Sequence, residues 1–452
     1  MGIGHHLRPV FLFTFLASLA FAEAGISQQT ASEGVESLRR ALQLPDSKDS
    51  RREKAIQEAL GKLNTPVEIW AAASLGDWRE FYPDGRKALA DQQARQALVK
   101  KFQAVFEKGT APGPGEERDT LLELAMLIAK EEASSGGTRP FSLAMAQVLA
   151  VQAFQGEVNN RVAPIRALGL VNPETEMGMA AFTRLMSDKE MRIRRAALDG
   201  LSYWVEAIGP TPNAIEQGTI SQKRNQVRLC CQSLELASAA AVDANYEVRR
   251  RAAGHFRLAS VILNSAISDP TGKTPLGGND PRLQEYLIDR GLAEKLAKVI
   301  EKGRKNLAAL LPAEDLDTRL LAHLAIEDLA LARKAWKSQA VAHGLTASEF
   351  PVQLKESVGD LAKSLGDENY RVRRSAVDTL ELLGPDAAGT VRELVQALED
   401  QDRFVRWSAI RALVEIGGEA TKAVPKLRLL LKDQDGDVRK AAAQALAKLE
   451  GK

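Results

Sequence analysis

A beat of 33 residues governs this chain. Asp367, Asp400 and Asp433 stand 33 residues apart, and each is followed at five and six residues by an apolar residue and an arginine: Val372-Arg373, Val405-Arg406 and Val438-Arg439. Asp188 with Ile193-Arg194 and Asp243 with Val248-Arg249 repeat the same offsets upstream. Nine before the aspartate stand Val358, Val391, Val424, Met179 and Leu234; nine after it stand Ala376, Ala409, Ala442, Ala197 and Ala252. Six before and thirteen after are again apolar, the latter being Leu380, Leu413, Leu446, Leu201 and Phe256. Apolar positions three, four and seven apart on both sides of a polar turn describe two amphipathic helices. The aspartate sits in the turn, where it can cap the second helix.

A period this short excludes a single compact core. One helix pair cannot cover its own apolar faces, so copies must stack, each touching only its neighbours. The expected fold is all-α, an α-solenoid of stacked antiparallel helix pairs wound into a superhelix. The invariant alanine suits the close approach of helices in such a stack.

The pattern Asp-x4-Val-Arg-x2-Ala-x3-Leu resembles the HEAT repeat, in particular the short bacterial HEAT-like variety of phycobilin lyases. The likeness covers residues 358–452 most fully and 179–204 and 234–260 well. It implies that turn aspartates and following arginines bond between successive repeats as a structural ladder, here Asp188, Arg194, Asp243, Arg249, Asp367, Arg373, Asp400, Arg406, Asp433 and Arg439. A bidentate arginine–carboxylate bond suits that role.

Elsewhere the beat weakens. Asp188 and Asp243 are one period plus 22 residues apart, so Ile208–Asn225, rich in Pro, Gly, Thr and Asn, reads as an insertion near 208–225 in a surface loop. Ile165-Arg166-Ala167-Leu168 repeats Ile410-Arg411-Ala412-Leu413, which puts Gln155 at the turn of a decayed copy. Residues 141–265 thus form HEAT-like repeats, followed by a Pro/Gly-rich loop at 266–281. Residues 282–350 are an irregular helical segment without the Asp and Val-Arg marks, and 351–452 are three regular repeats. Residues 23–140 read as divergent helical hairpins, with helices over 33–60, 65–80, 87–108 and 117–133, broken at 111–115 and 134–140.

The first 22 residues stand apart from the repeats. Arg8 precedes an apolar run from Val10 through Leu19, closed by Ala20-Phe21-Ala22, the order of a secretory signal peptide cleaved after Ala22. The run is too short for the roughly 20 residues of a membrane-spanning helix. An exported protein in the periplasm or outside the cell is the expectation, with no membrane span after cleavage. Cleavage removes Arg8 and leaves 60 basic against 59 acidic residues. That balance gives no global field toward nucleic acid or an anionic membrane.

Chemistry-bearing residues are sparse. The mature chain keeps His255, His323 and His343, thin material for a metal or a histidine catalyst. His323 and Glu327 lie one turn apart and read as a surface pair. Thr271-Gly272-Lys273-Thr274 mimics a phosphate loop, but Ile267 stands where its first glycine belongs. Cys230-Cys231 read as ordinary residues of a helix starting near Gln226, a strained vicinal disulfide being the alternative. No catalytic residue, cofactor or small-molecule substrate is expected.

Residues two after the turn-proximal Val or Ile point about 200° away from it around the helix, toward solvent. These are the partner-binding candidates: Arg195, Arg250, Arg374, Trp407 and Lys440, with Asp199, Asp378, Arg411 and Gln444 one turn later. The expected function is a non-catalytic interaction scaffold presenting this face to a protein or peptide. The alternatives are a tetrapyrrole-handling, lyase-like protein and a permanent structural subunit of a cell-envelope assembly.

Overall fold

A computed structural model describes residues 33, 37, 40–41, 51–62, 146, 149–171, 176–208, 220–267, 281–342 and 349–451. The expected signal peptide, the helices over 65–133 and the Thr271–Thr274 motif lie outside these residues. No strand occurs among the described residues, and none of their helices is long and apolar enough to cross a membrane.

The chain divides into two compact units, Met1–Asn172 and Pro173–Lys452. In the first, α1 (Arg51–Gly61) and α2 (Val158–Val171) are described. Gln155 lies in the bend before α2, and Arg161, six residues on, donates from Nε to the Ala153 carbonyl at 2.8 Å.

The second unit is a solenoid of helix pairs. Its elements are α3 (Glu176–Met186), α4 (Met191–Ile208), α5 (Ile220–Ala237), α6 (Tyr246–Ile267), α7 (Pro281–Ala308), α8 (Leu316–Ala342), α9 (Val358–Ser364), α10 (Tyr370–Leu383), α11 (Val391–Ala397), α12 (Arg403–Ile416), α13 (Val424–Leu429) and α14 (Gly436–Leu449). The second helices α4, α6, α8, α10, α12 and α14 each pack on the next in line.

The repeat explains that packing. The apolar residue five after each turn (Ile193, Val248, Val372, Val405, Val438) and the alanine nine after it (Ala197, Ala252, Ala376, Ala409, Ala442) are completely buried. An alanine there sits at the seam between helices, and a larger side chain would overpack it by roughly 1–3 kcal/mol. Gly384 (φ 57°) and Gly417 (φ 81°) end α10 and α12 in the left-handed region that glycine enters freely, which lets the chain turn into the next pair.

Residues 282–350 are not irregular. They hold the two longest helices among the described residues, α7 of 28 and α8 of 27 residues, and they contain a repeat whose marks are substituted. Ala313 occupies the turn, Thr318 the Val place and Arg319 the arginine place, with Ala322 and Ile326 buried at the alanine and leucine places. The far end of this pair is closed by Trp336, which meets Phe350 edge-on at 6.1 Å and carries the Arg290 guanidinium 3.5 Å over its ring. The insertion is shorter than 208–225, because α4 runs through Ile208 and α5 begins at Ile220, ahead of Gln226. Likewise α6 reaches Ile267 and α7 begins at Pro281, trimming the 266–281 loop.

Candidate functional site

The turn aspartates do not cap the second helices. The cap lies two residues on: Asn369 accepts from the Arg371 N–H, and Asp402 and Asp435 each accept from two N–H groups of the first turn. Asn245 and Asp315 do the same for α6 and α8. The turn aspartate instead accepts the N–H of that cap residue, at 2.8 Å in Asp243, Asp367, Asp400 and Asp433 and 2.9 Å in Asp188. This holds its carboxylate at the edge of the turn, facing the preceding repeat.

The arginines reach that carboxylate. Arg373 donates from Nε and Nη2 to Asp400 at 2.6 and 2.8 Å, Arg406 to Asp433 at 2.9 and 2.8 Å, and Arg194 to Asp243 at 2.6 and 2.8 Å. Arg319 pairs with Asp367 at 2.9 Å. Nη1 of each points back to two carbonyls of its own turn, such as Asp400 and Gln401 for Arg406 at 2.8 and 3.2 Å. One guanidinium thus ties its own turn to the next. The Asp400 bond raises the Arg373 pKa. Burial pulls Asp433 upward, yet the Arg406 bond and the Asp435 N–H hold it below the usual carboxylate range. Arg249 and Arg439 keep only the backward bonds, because Ala313 follows the first and no repeat follows the second among the described residues.

A second set of contacts, invisible in the repeat pattern, crosses between second helices four and seven residues after the turn. Arg195 pairs with Glu247, and Arg250 with Asp317 at 3.3 Å. At the corresponding place after Asp400 the acid is replaced by a ring: the guanidiniums of Arg374 and Arg403 lie 5.0 and 4.6 Å from the Phe404 centroid. Arg411 lies 4.4 Å from the Trp407 centroid and pairs with Glu381. Arg374 also reaches Asp378 at 3.5 Å. Lys440, Gln444 and Arg371 are exposed, whereas Trp407 is half-buried and packs against the core.

The outward reading therefore needs correction at two positions. Asp199 is buried and pairs with Arg251 at 2.7 Å, and Trp407 is only partly open because α10 and α12 approach closely on that side. Phe404, 41% exposed, is open to a partner, and it lies outside the chosen spacing, as do Tyr246 at 48% and Tyr370 at 46%.

His323 and Glu327 are not a surface pair. α8 is covered by α6 on one flank and α10 on the other, which completely buries His323. Burial lowers the His323 pKa to about 4 and raises Glu327 to about 7, where Ser375 donates to its Oε2 at 2.6 Å. Burial also raises Asp328 to about 6 despite Arg257 beside it, and lowers His255 to about 4. Cys230 and Cys231 are free thiols in α5; burial pushes Cys231 to about 11 and Cys230 well above its ordinary value. No group of side chains suited to a metal occurs among the described residues.

Residues 358–447 match the family model of HEAT repeats. No curated protein matches the chain. Among solved structures it is similar to an engineered protein solved by the Northeast Structural Genomics Consortium, at 20% identity over 60% of this chain and 96% of the other, with a TM-score of 0.38. A designed armadillo repeat protein in complex with the peptide (KR)4 matches at 18% identity over 61% of this chain and 100% of its own, with a TM-score of 0.36. Kap121p matches at 12% identity over 92% of this chain and 49% of its own, with a TM-score of 0.27.

Proposed function

We propose that the chain is an exported, non-catalytic scaffold whose stacked second helices present a binding face to an extended acidic or amphipathic segment of a protein partner. The observation that carries this reading is the change of chemistry along the face. Arg195 and Arg250 meet acids of the next helix, while Arg374, Arg403 and Arg411, which also pair with Asp378, Asp435 and Glu381, lie against the rings of Phe404 and Trp407. Guanidinium and aromatic groups are the residue types that most often anchor interfaces. Arg371 and Lys440 add exposed positive charge on the same three repeats.

Affinity capture from cell-envelope extract, with intact chain as bait, tests the reading. Phe404→Ala and Trp407→Ala should each weaken capture of the same partner by about 5-fold to 150-fold. Because Trp407 packs on the core, its variant should also lose stability, and Phe404→Ala should not. Unchanged capture by Phe404→Ala would remove this face from consideration. Export is tested separately: the N-terminus of secreted material should be Glu23, and retention of residues 1–22 would refute it.

A further inference from the structure

At four junctions between repeats an arginine fork meets a carboxylate of the next turn: Arg194 with Asp243, Arg319 with Asp367, Arg373 with Asp400 and Arg406 with Asp433. Each of these carboxylates also accepts the N–H two residues on, so at Asp243, Asp400 and Asp433 three donors converge on one carboxylate, while Arg319 divides Nη2 between Asp367 at 3.5 Å and Glu368 at 3.1 Å. The junction between the Asp243 and Ala313 turns keeps the donors and lacks the acceptor.

Arg249 is posed like its equivalents. Its Nη1 donates to the Asp243 and Ala244 carbonyls at 2.8 and 2.9 Å, against 2.9 and 3.1 Å for Arg373. The neighbouring Arg250 reaches Asp317 as Arg195 reaches Glu247, so the two turns stand in the same register as the others. The turn itself is preserved, since the Ala313 N–H bonds to the Leu310 carbonyl as the Asp243 N–H bonds to that of Ala240. The Ala313 side chain supplies no oxygen, which leaves Nε and Nη2 of Arg249 and the N–H of Asp315 without an acceptor among the described residues. Arg249 and Ala313 are half-buried, so the place is open to solvent on one side. The acidic cap Asp315 beside it holds the Thr318 N–H at 2.9 Å, and Asp402 likewise caps an equivalent turn whose carboxylate is bound.

We propose that Arg249 and the Asp315 N–H form a binding site for one carboxylate group from outside the chain. The planar fork and single N–H match a carboxylate, the group that the other four junctions accommodate. This site is independent of the face around Phe404, and failure of either leaves the other standing.

The test titrates isotope-labelled full-length chain with acetate against chloride at constant ionic strength, following the Asp315 amide resonance. A saturable downfield shift is expected, half-complete on the order of tens of millimolar for one exposed charge-assisted contact. Ala313→Asp should place that resonance downfield without acetate and abolish the response. Arg249→Lys, which keeps the charge and removes the fork, should reduce affinity at least 10-fold. A blocked Ala-Asp-Ala peptide distinguishes the source: tighter binding than acetate assigns the carboxylate to a partner polypeptide, and equal binding to a free small acid. An unsaturable response in the wild type, or an unchanged one in Arg249→Lys, overturns the site.

Discussion

Replacing Arg406 by alanine should destabilise the C-terminal repeats far more than replacing Arg411, although the two stand on one helix five residues apart. The Arg406 side chain is 6% exposed and its partner Asp433 8%. Truncation removes a bidentate bond and two bonds to the Asp400 and Gln401 carbonyls. It leaves Asp433 with the Asp435 N–H, at 2.8 Å, as its remaining donor among the described residues. Breaking a buried pair from one side costs roughly 3–5 kcal/mol, and water entering beside the shortened side chain recovers part of it, so about 3 kcal/mol is expected. Arg411 is 45% exposed. Its loss uncovers Trp407 and leaves Glu381, whose pKa burial already raises, for about 0.5–1 kcal/mol. Urea denaturation of the full chain, with hydrogen exchange over α12 and α14 to localise the loss, measures both. The pair Arg406→Ala and Asp433→Asn should be strongly non-additive, because the second change removes the stranded charge. Equal midpoints for Arg406→Ala and Arg411→Ala, or simple additivity of the first pair, would refute the reasoning.

Three further outcomes are expected. Ala313→Asp should stabilise the chain by about 1 kcal/mol, seen as a raised melting temperature that disappears in an Arg249→Ala background. His255 and His323, lowered to about 4, contribute stability that is complete above pH 6.5 and lost as pH falls toward 4, whereas Glu327, raised to about 7, contributes stability present below pH 4.5 and lost as pH rises through 7. Glu327→Gln should therefore remove a fall of about 2 kcal/mol between pH 4.5 and 7, which in the wild type runs against the rise from the two histidines, measured by denaturant midpoints at each pH; a wild-type slope retained in the variant contradicts this. Reductant should leave the melting temperature unchanged, since Cys230 and Cys231 are free, and a drop of several degrees would contradict the thiol assignment.

The regular repeats were legible because each mark answers a separate physical demand. An aspartate in the turn, an arginine that spans to the next one and an alanine at the seam are hard to replace together. The repeat at Ala313 escaped because two of its marks, Asp and Val, are substituted by Ala313 and Thr318, while Arg319-x2-Ala322-x3-Ile326 persists. The role of the turn aspartate was misplaced by two residues, since Asp402 and Asp435 look like passive neighbours until their side chains are seen against the first N–H groups. Burial of His323 and Glu327 depends on α8 being flanked on both sides, which a single-helix face cannot reveal. The contacts of Phe404 were hidden for a related reason: its partner Arg374 lies one repeat away.

The fork of each arginine fastens only adjacent turns, so cohesion in this unit is a series of local clasps. Arg439, which makes only backward bonds, marks where the last described clasp is open. Under limited proteolysis the described array should consequently lose α14, whose forward clasp is open, before the pairs clasped on both sides. A junction without its own clasp, between the turns of Asp243 and Ala313, should nevertheless outlast it. There α6 and α8 lie along one another over 22 and 27 residues, and this long seam substitutes breadth of contact for a single strong fastening.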